Sequence, residues 1–283
     1  MIALVFLFVA QWVRMTTIQR VCRVSEKALE PMTDAPFPDV VSEPPFDPAR
    51  QRRVGLALAL AIVVAWLIIH IGTVFCFPLS WGTAIRAVLL VALQTWLSVG
   101  LFIVAHDCMH GSLVPFKPWA NRWIGRVCLF LYAGFLFDAL NSEHHRHHRY
   151  SGTAEDPDFD DHPPYGFWRW FAKFFVTYFS WVQVATIVAV YLIYLLAFGV
   201  SPLNALLFWA VPGLLSALQL FTFGTYLPHK PDGQSFADRH NARTNEFPAW
   251  LSLLTCFHFG YHHEHHLYPT VPWWRLPGMR GRK

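Results

Sequence analysis

From Phe174 to His229 the chain carries no Asp, Glu, Lys or Arg, and the intervals Arg53 to Arg86 and Arg86 to Asp107 hold no charge between their ends. A helix needs about 20 apolar residues to cross the hydrocarbon core of a bilayer. The two shorter intervals each hold one span, at about 54–76 and 87–105. The long one holds two, at about 176–198 and 204–226, parted at Gly199-Val-Ser-Pro202. One such run could be a buried core helix of a soluble protein. Four runs with almost no soluble sequence between them predict an all-α integral membrane protein with four transmembrane helices. Apolar residues at 54% and charged residues at 14% agree, since soluble domains carry fewer of the first and more of the second.

The net charge of +4 sits in the loops. No stripe of Lys and Arg interleaves with polar residues, which argues against nucleic-acid binding. The five cysteines lie mostly in apolar segments without metal or disulfide spacing, and read as small hydrophobes of a reduced compartment. Residues 1–50 read as an extension, and 51–283 as the membrane domain that carries the chemistry. Within the extension, 31–50 (PMTDAPFPDVVSEPPFDPAR) is rich in Pro and Asp without period, as in a disordered tail. The apolar start Ile2–Val13 is too short to span and lacks the basic flank of a signal peptide. Two readings of it stay open, an interfacial anchor or sequence upstream of a start at Met15 or Met32.

Three histidine boxes adjoin these runs: His106-Asp-Cys-Met-His110, His144-His-Arg-His147-His148 and His262-His-Glu-His265-His266. Residues at i, i+3 and i+4 lie on one face of a helix, so each box is expected to present its imidazoles to a single point. Neutral imidazole is the commonest biological metal ligand. Eight such ligands exceed the four a zinc ion takes, which implies two metals. Zinc lacks redox chemistry, copper takes fewer ligands, and magnesium and calcium prefer oxygen. The remaining choice is a di-iron site that activates oxygen beside a hydrophobic cavity.

Charge sets the expected topology. Arg50, Arg52 and Arg53 precede the first span, the loops 77–85 and 199–203 are uncharged, and every box is flanked by Lys or Arg. Positive-inside orientation then puts both termini and all three boxes in the cytoplasm. Only 11 uncharged residues separate Arg126 from Asp138. Were that segment to cross, the first two boxes would lie on opposite faces. It is therefore expected to dip in and return or to lie in the interface, as is 247–261 before the third box.

Several stretches resemble the bacterial β-carotene ketolases of the membrane fatty-acid desaturase superfamily: 102–114 (FIVAHDCMHGSLV), 153–159 (TAEDPDF), 215–229 (LSALQLFTFGTYLPH), 240–244 (HNART), 253–266 (LLTCFHFGYHHEHH) and 272–277 (PWWRLP). The resemblance covers about 85–280, and Leu215 to His266 is its most specific part. The family often has a small residue where Cys108 stands, a departure that touches no proposed ligand. The resemblance implies that His106, His110, His144, His147, His148, His262, His265 and His266 bind iron. It implies a ninth ligand after the last span, where His229 matches best and His240 and His258 are second candidates. On a continuous helix His258 would face as His262 does.

The remaining histidines have ordinary readings. His145 and His263 interrupt the ligand spacing and are expected to point away, His70 to make an interhelical hydrogen bond, and His162 to be solvated. Asp107, Glu143, Asp156, Asp158 and Glu264 are placed to accept the second N–H of a ligating imidazole, which fixes its orientation. Asp107, Asp156 and Asp158 are assigned to the catalytic centre, although Asp and Pro are also ordinary turn residues. Trp168, Trp170, Trp273 and Trp274 read as interfacial anchors, and Phe and Leu near the boxes as lining for a long conjugated chain.

The resemblance implies an O2-dependent ketolase acting at the allylic 4-position of β-ionone rings, by two hydroxylations and loss of water. β-Carotene would give echinenone and then canthaxanthin, and hydroxylated carotenoids would move towards astaxanthin. No nucleotide-binding Gly motif or haem-attachment sequence is present, so electrons need a separate donor such as ferredoxin with its reductase. The rival within enzymes is an acyl-lipid desaturase or hydroxylase. A histidine-rich metal transporter would need ionisable residues along its spans, and His70 is the one found there.

Overall fold

The computed structural model describes residues 46–233 and 235–281. The expected apolar start and residues 31–45 of the expected tail lie outside these. Helix α1, Pro48–Cys76, begins inside the expected extension, where Asp47 accepts the Ala49 N–H at 2.8 Å and Pro48 opens the first turn. Both are favoured at a helix start. A 3₁₀ turn, Trp81–Thr83, leads into α2, Ala84–Met109. Trp66 Nε1–H donates to Ser98 Oγ at 3.0 Å and joins these antiparallel helices. The last long helix, α7 (Pro202–His229), also packs on α2 and contains two π-helical stretches, Leu206–Ala210 and Phe221–Tyr226.

These three are long and apolar enough to cross a membrane. The expected span at 176–198 is not one helix. The chain forms α5, Phe167–Tyr178, then bends by 83° into α6, Trp181–Leu196. Absence of charge cannot reveal a break, but Ser180 makes one: its hydroxyl accepts the Gln183 N–H at 3.2 Å and starts a new helix. At 16 residues, α6 is about 24 Å long, short of the hydrocarbon thickness. Three spans are clear among the described residues, and up to five if each bent pair counts as one.

The segment before the second box is sharply bent. Helix α3, Pro118–Ala133, stops at Gly134, whose φ of 69° lets the chain close its last turn, and α4, Phe137–Tyr150, departs at 98°. Trp119, Trp123, Val127 and Phe130 recur at helical spacing along the exposed side of α3, a face suited to lying in the lipid interface. Leu60, Ile68, Val88, Leu89, Ile193, Leu196 and Leu203 give the long helices similar apolar exteriors, as expected where lipid replaces water. Two of the four expected anchors are instead core residues. Trp170 is fully buried and donates to the Asp158 carbonyl at 2.6 Å, and Trp273 packs on Phe257. An aromatic near a span end packs inward when a short helix beside the site folds over it. His70 donates to or accepts from Tyr194 Oη at 2.9 Å and ties α1 to α6.

Candidate metal centre

Four elements converge at one end of the helices. His106 and His110 close α2, His144, His147 and His148 lie on α4, and His229 ends α7. The rest, His262, His265 and His266, lie on the short α9, His262–Leu267, which follows α8, Ala249–Cys256. The imidazoles fall into two groups. His106, His110, His144, His148 and His265 offer nitrogens all within 4.8 Å of one another, and so do His147, His229, His262 and His266. His148 and His266 stack at 4.2 Å where the groups adjoin.

The boxes do not each serve one point, contrary to the simplest reading of their spacing. Each i, i+4 pair (106/110, 144/148, 262/266) stays together, while the i+3 member, His147 or His265, enters the other group. Successive helical residues are about 100° apart. Residue i+4 therefore returns to within about 40° of residue i on one side, and i+3 falls about 60° away on the other. That difference is enough to aim two neighbours at different centres.

The geometry fits metal. Nε2 atoms face one another at 2.7 Å for His110 and His144, 3.0 Å for His148 and His265, and 3.1 Å for His262 and His266. The Nε2 atoms of His106 and His229 are buried with no hydrogen-bond partner. Burial and the neighbouring imidazoles push His144, His148, His262, His265 and His266 well below the usual histidine range, which leaves the neutral, ligating form. A convergence of bare imidazole nitrogens is unfavourable unless a cation sits among them.

Outer partners set the tautomers. His147 Nδ1–H donates to Asp156 Oδ1 at 2.9 Å, with Asp158 Oδ2 at 3.7 Å. Burial alone would lower His147, but these two carboxylates carry it up to about 9. Burial raises Asp158 to about 6. Asp156 also accepts the backbone N–H groups of Gly152 and Asp158, both at 2.8 Å. His229 Nδ1–H donates to the Asn241 carbonyl at 2.7 Å, which leaves Nε2 unprotonated towards the second group. A carboxylate or carbonyl on the far nitrogen is the usual support of a metal-bound histidine.

Other expected residues are placed elsewhere. The Asp107 carboxylate turns from the histidines to the Trp273 backbone N–H, at 3.3 Å, and so starts the terminal 3₁₀ segment. Glu143 meets Arg146 at the surface, and Glu264 accepts from the Thr244 hydroxyl. His240 belongs to neither group; its carbonyl accepts from Ser151 Oγ at 2.5 Å. His258 is diverted because Phe257 and His258 both adopt positive φ, 48° and 62°, which breaks the helix before His262. It stacks on Trp273 instead. His145 is exposed at the rim of the first group, and His263 pairs with Asp238 at 2.8 Å; neither joins a group. His162 lies exposed beside Asp161. Tyr178, which donates to Asp158 Oδ1, was not foreseen, because nothing distinguishes it among its aromatic neighbours.

A cavity of about 270 Å³ ends on His106, His144, His147 and His262. Its walls are almost wholly apolar, with Phe102, Phe174, Phe179, Ile187, Leu214 and Phe259 among them. Gly224 admits Phe259: a Cβ there would lie 2.5 Å from the ring, which packs edge-on against His106 and His262.

The model of the fatty acid desaturase family matches residues 79–185 and 163–282. The chain belongs to the fatty acid desaturase family. Within it the chain is 49% identical over 228 residues to the β-carotene ketolase of Paracoccus sp. (strain PC1), covering 80% of this chain and 92% of that one. It is 47% identical to the β-carotene ketolase of Paracoccus sp. (strain N81106 / MBIC 01143), over 80% of this chain and 91% of that one. A β-carotene ketolase of Haematococcus lacustris is 35% identical, over 83% and 81%. These similarities set this desaturase-family chain among the β-carotene ketolases, which are oxidoreductases. Its two histidine groups, contributed by all three boxes and by His229, fit a metal site.

Proposed function

We propose that the chain is a di-iron, dioxygen-dependent ketolase acting at the 4-position of carotenoid β-ionone rings, in a bacterial inner membrane with its metal centre on the cytoplasmic side. The observation that carries this reading is the apolar cavity ending on four of the nine histidines. Bound iron would supply the redox chemistry that activates dioxygen, held by five histidines on one side and four on the other. The cavity has room for one end group and the start of its chain, so the rest of a long substrate extends beyond it. Phe102, Phe174 and Phe259 would hold the ring so that one allylic carbon lies nearest the histidines, and such positioning decides which bond reacts. Asp156 and the Asn241 carbonyl hold His147 and His229 in fixed tautomers and so hold the reacting geometry. Each hydroxylation consumes one O2, two electrons and two protons, and yields the alcohol and one water. A second hydroxylation at the same carbon gives a geminal diol, which loses water to the ketone. β-Carotene would thus pass through echinenone to canthaxanthin, and hydroxylated carotenoids towards astaxanthin. The electrons would come from a ferredoxin-like donor and its reductase.

The test is pigment extraction after expression in a β-carotene-accumulating host. New keto-carotenoids are the expected result. Unchanged pigment with altered fatty-acid unsaturation would replace this reading by an acyl-lipid desaturase on the same scaffold.

A further inference from the structure

The nine histidines are not equally enclosed. The second group is wholly buried, whereas His110, His144 and His148 of the first are only half-buried. His144 opens on the cavity, but His110 and His148 do not line it, so their edges reach the outside of the protein. Over that edge lies the exposed His145, its ring 5.6 Å from that of His110 and 6.3 Å from that of His144. The exposed stripe of α4 continues with Arg146 and Arg149. Arg149 makes no ion pair among the described residues, and Arg146 has only Glu143 at 3.6 Å. Arg122 and Arg126 of α3 join the same face through Asp138. Four guanidinium groups therefore face two carboxylates on the surface that lies closest to the histidines.

We propose that this face of α3 and α4 is the docking surface for a small acidic one-electron carrier protein, with His145 at the point of electron entry. The inference rests on the oxygenase reading above, in which each hydroxylation takes two electrons and so oxidises two reduced carriers. A positive face meeting a negative partner speeds encounter and loses that advantage as salt rises. The alternative use of these arginines is to hold anionic lipid headgroups, which is natural for Arg122 and Arg126 beside the apolar stripe of α3. Helix α4 turns 98° away from that stripe, which favours a soluble partner for Arg146 and Arg149.

The experiment uses the iron-loaded full chain in nanodiscs and a plant-type [2Fe–2S] ferredoxin as probe. Binding of the oxidised ferredoxin is measured against salt, and reduction of the bound iron is followed anaerobically with reduced ferredoxin and, separately, with dithionite. Arg146→Glu/Arg149→Glu is expected to weaken ferredoxin binding and slow reduction by it, each by on the order of tenfold at low salt, and to flatten the salt dependence. Iron content and dithionite reduction should stay as in the wild type. Arg149→Glu alone should show part of the same effect. Arg86→Glu, at the other end of α2 and about 30 Å from His106, should show none. Wild-type binding by the double variant would overturn the proposal, and so would a loss seen only in anionic-lipid nanodiscs. Iron that dithionite cannot reduce in the wild type would count against the oxygenase reading, while the binding measurement would still decide the surface.

Discussion

His229 and His240 lie close in space but serve the centre differently. His229 presents a bare Nε2 to the second group, whereas His240 contributes its backbone carbonyl to Ser151 and keeps its ring outside. His229→Gln is therefore expected to lose one of the two bound ions and most ketolation, and His240→Gln to keep both, measured as iron per protein together with keto-product. The reverse result would transfer the ligand role to His240. Asp156 acts one shell further out, through His147. Asp156→Asn removes the charge but not the side chain, and loss of such a partner typically lowers metal affinity by about 10–100-fold. Iron titration of the purified variant should show that loss, with the helical circular-dichroism spectrum unchanged. Unaltered affinity would make Asp156 a turn residue, held there by the N–H groups of Gly152 and Asp158.

Helix α4 carries three of the nine histidines, and its direction depends on one close approach. Gly125 of α3 lies against the Phe137 ring, so that a Cβ there would come within 2.1 Å of it. Gly125→Ala should force Phe137 aside and tilt α4, at a cost of about 1–3 kcal/mol as in other overpacked sites. The expected readout is a lower thermal midpoint together with weaker iron retention, and Gly125→Ala/Phe137→Leu should recover part of both. A midpoint that does not move would mean that α4 is held chiefly by its histidines and its ion pairs to α3. On α4 and α9 alike, the one-residue difference between i+3 and i+4 divides a single box between two centres. Pattern reading finds the box but not the division, because the division depends on where the facing helices stand.

Across the whole molecule, the cavity and the metal centre are separable. Gly213 lines the cavity and has open space where a Cβ would go, so Gly213→Leu should fit without distorting the fold while occupying room meant for substrate. Keto-product formation is expected to fall on the order of tenfold or more, which corresponds to about 1.4 kcal/mol of lost transition-state binding, with iron content unchanged. Equal loss of iron would show that the two regions are coupled. Charge-free length was enough to predict an apolar helical protein, and histidine spacing with the stretch from Leu215 to His266 was enough to point to the chemistry, because both are carried by residue type at fixed intervals. His229 was singled out only through the resemblance, which expects a ligand at the end of the last span. The break at Ser180 was not, since an apolar run reads the same whether straight or bent. Nor was the turn of Asp107 to Trp273, the burial of Trp170, the diversion of His258, or the partnership of Tyr178 with Asp158. Each of these depends on a neighbour distant in sequence, and spacing along a chain contains no information about what folds against it. The sequence by itself therefore determined which residues could bind metal and which segments could meet lipid. Packing alone decided how nine imidazoles are shared between two groups and where the cavity meets them.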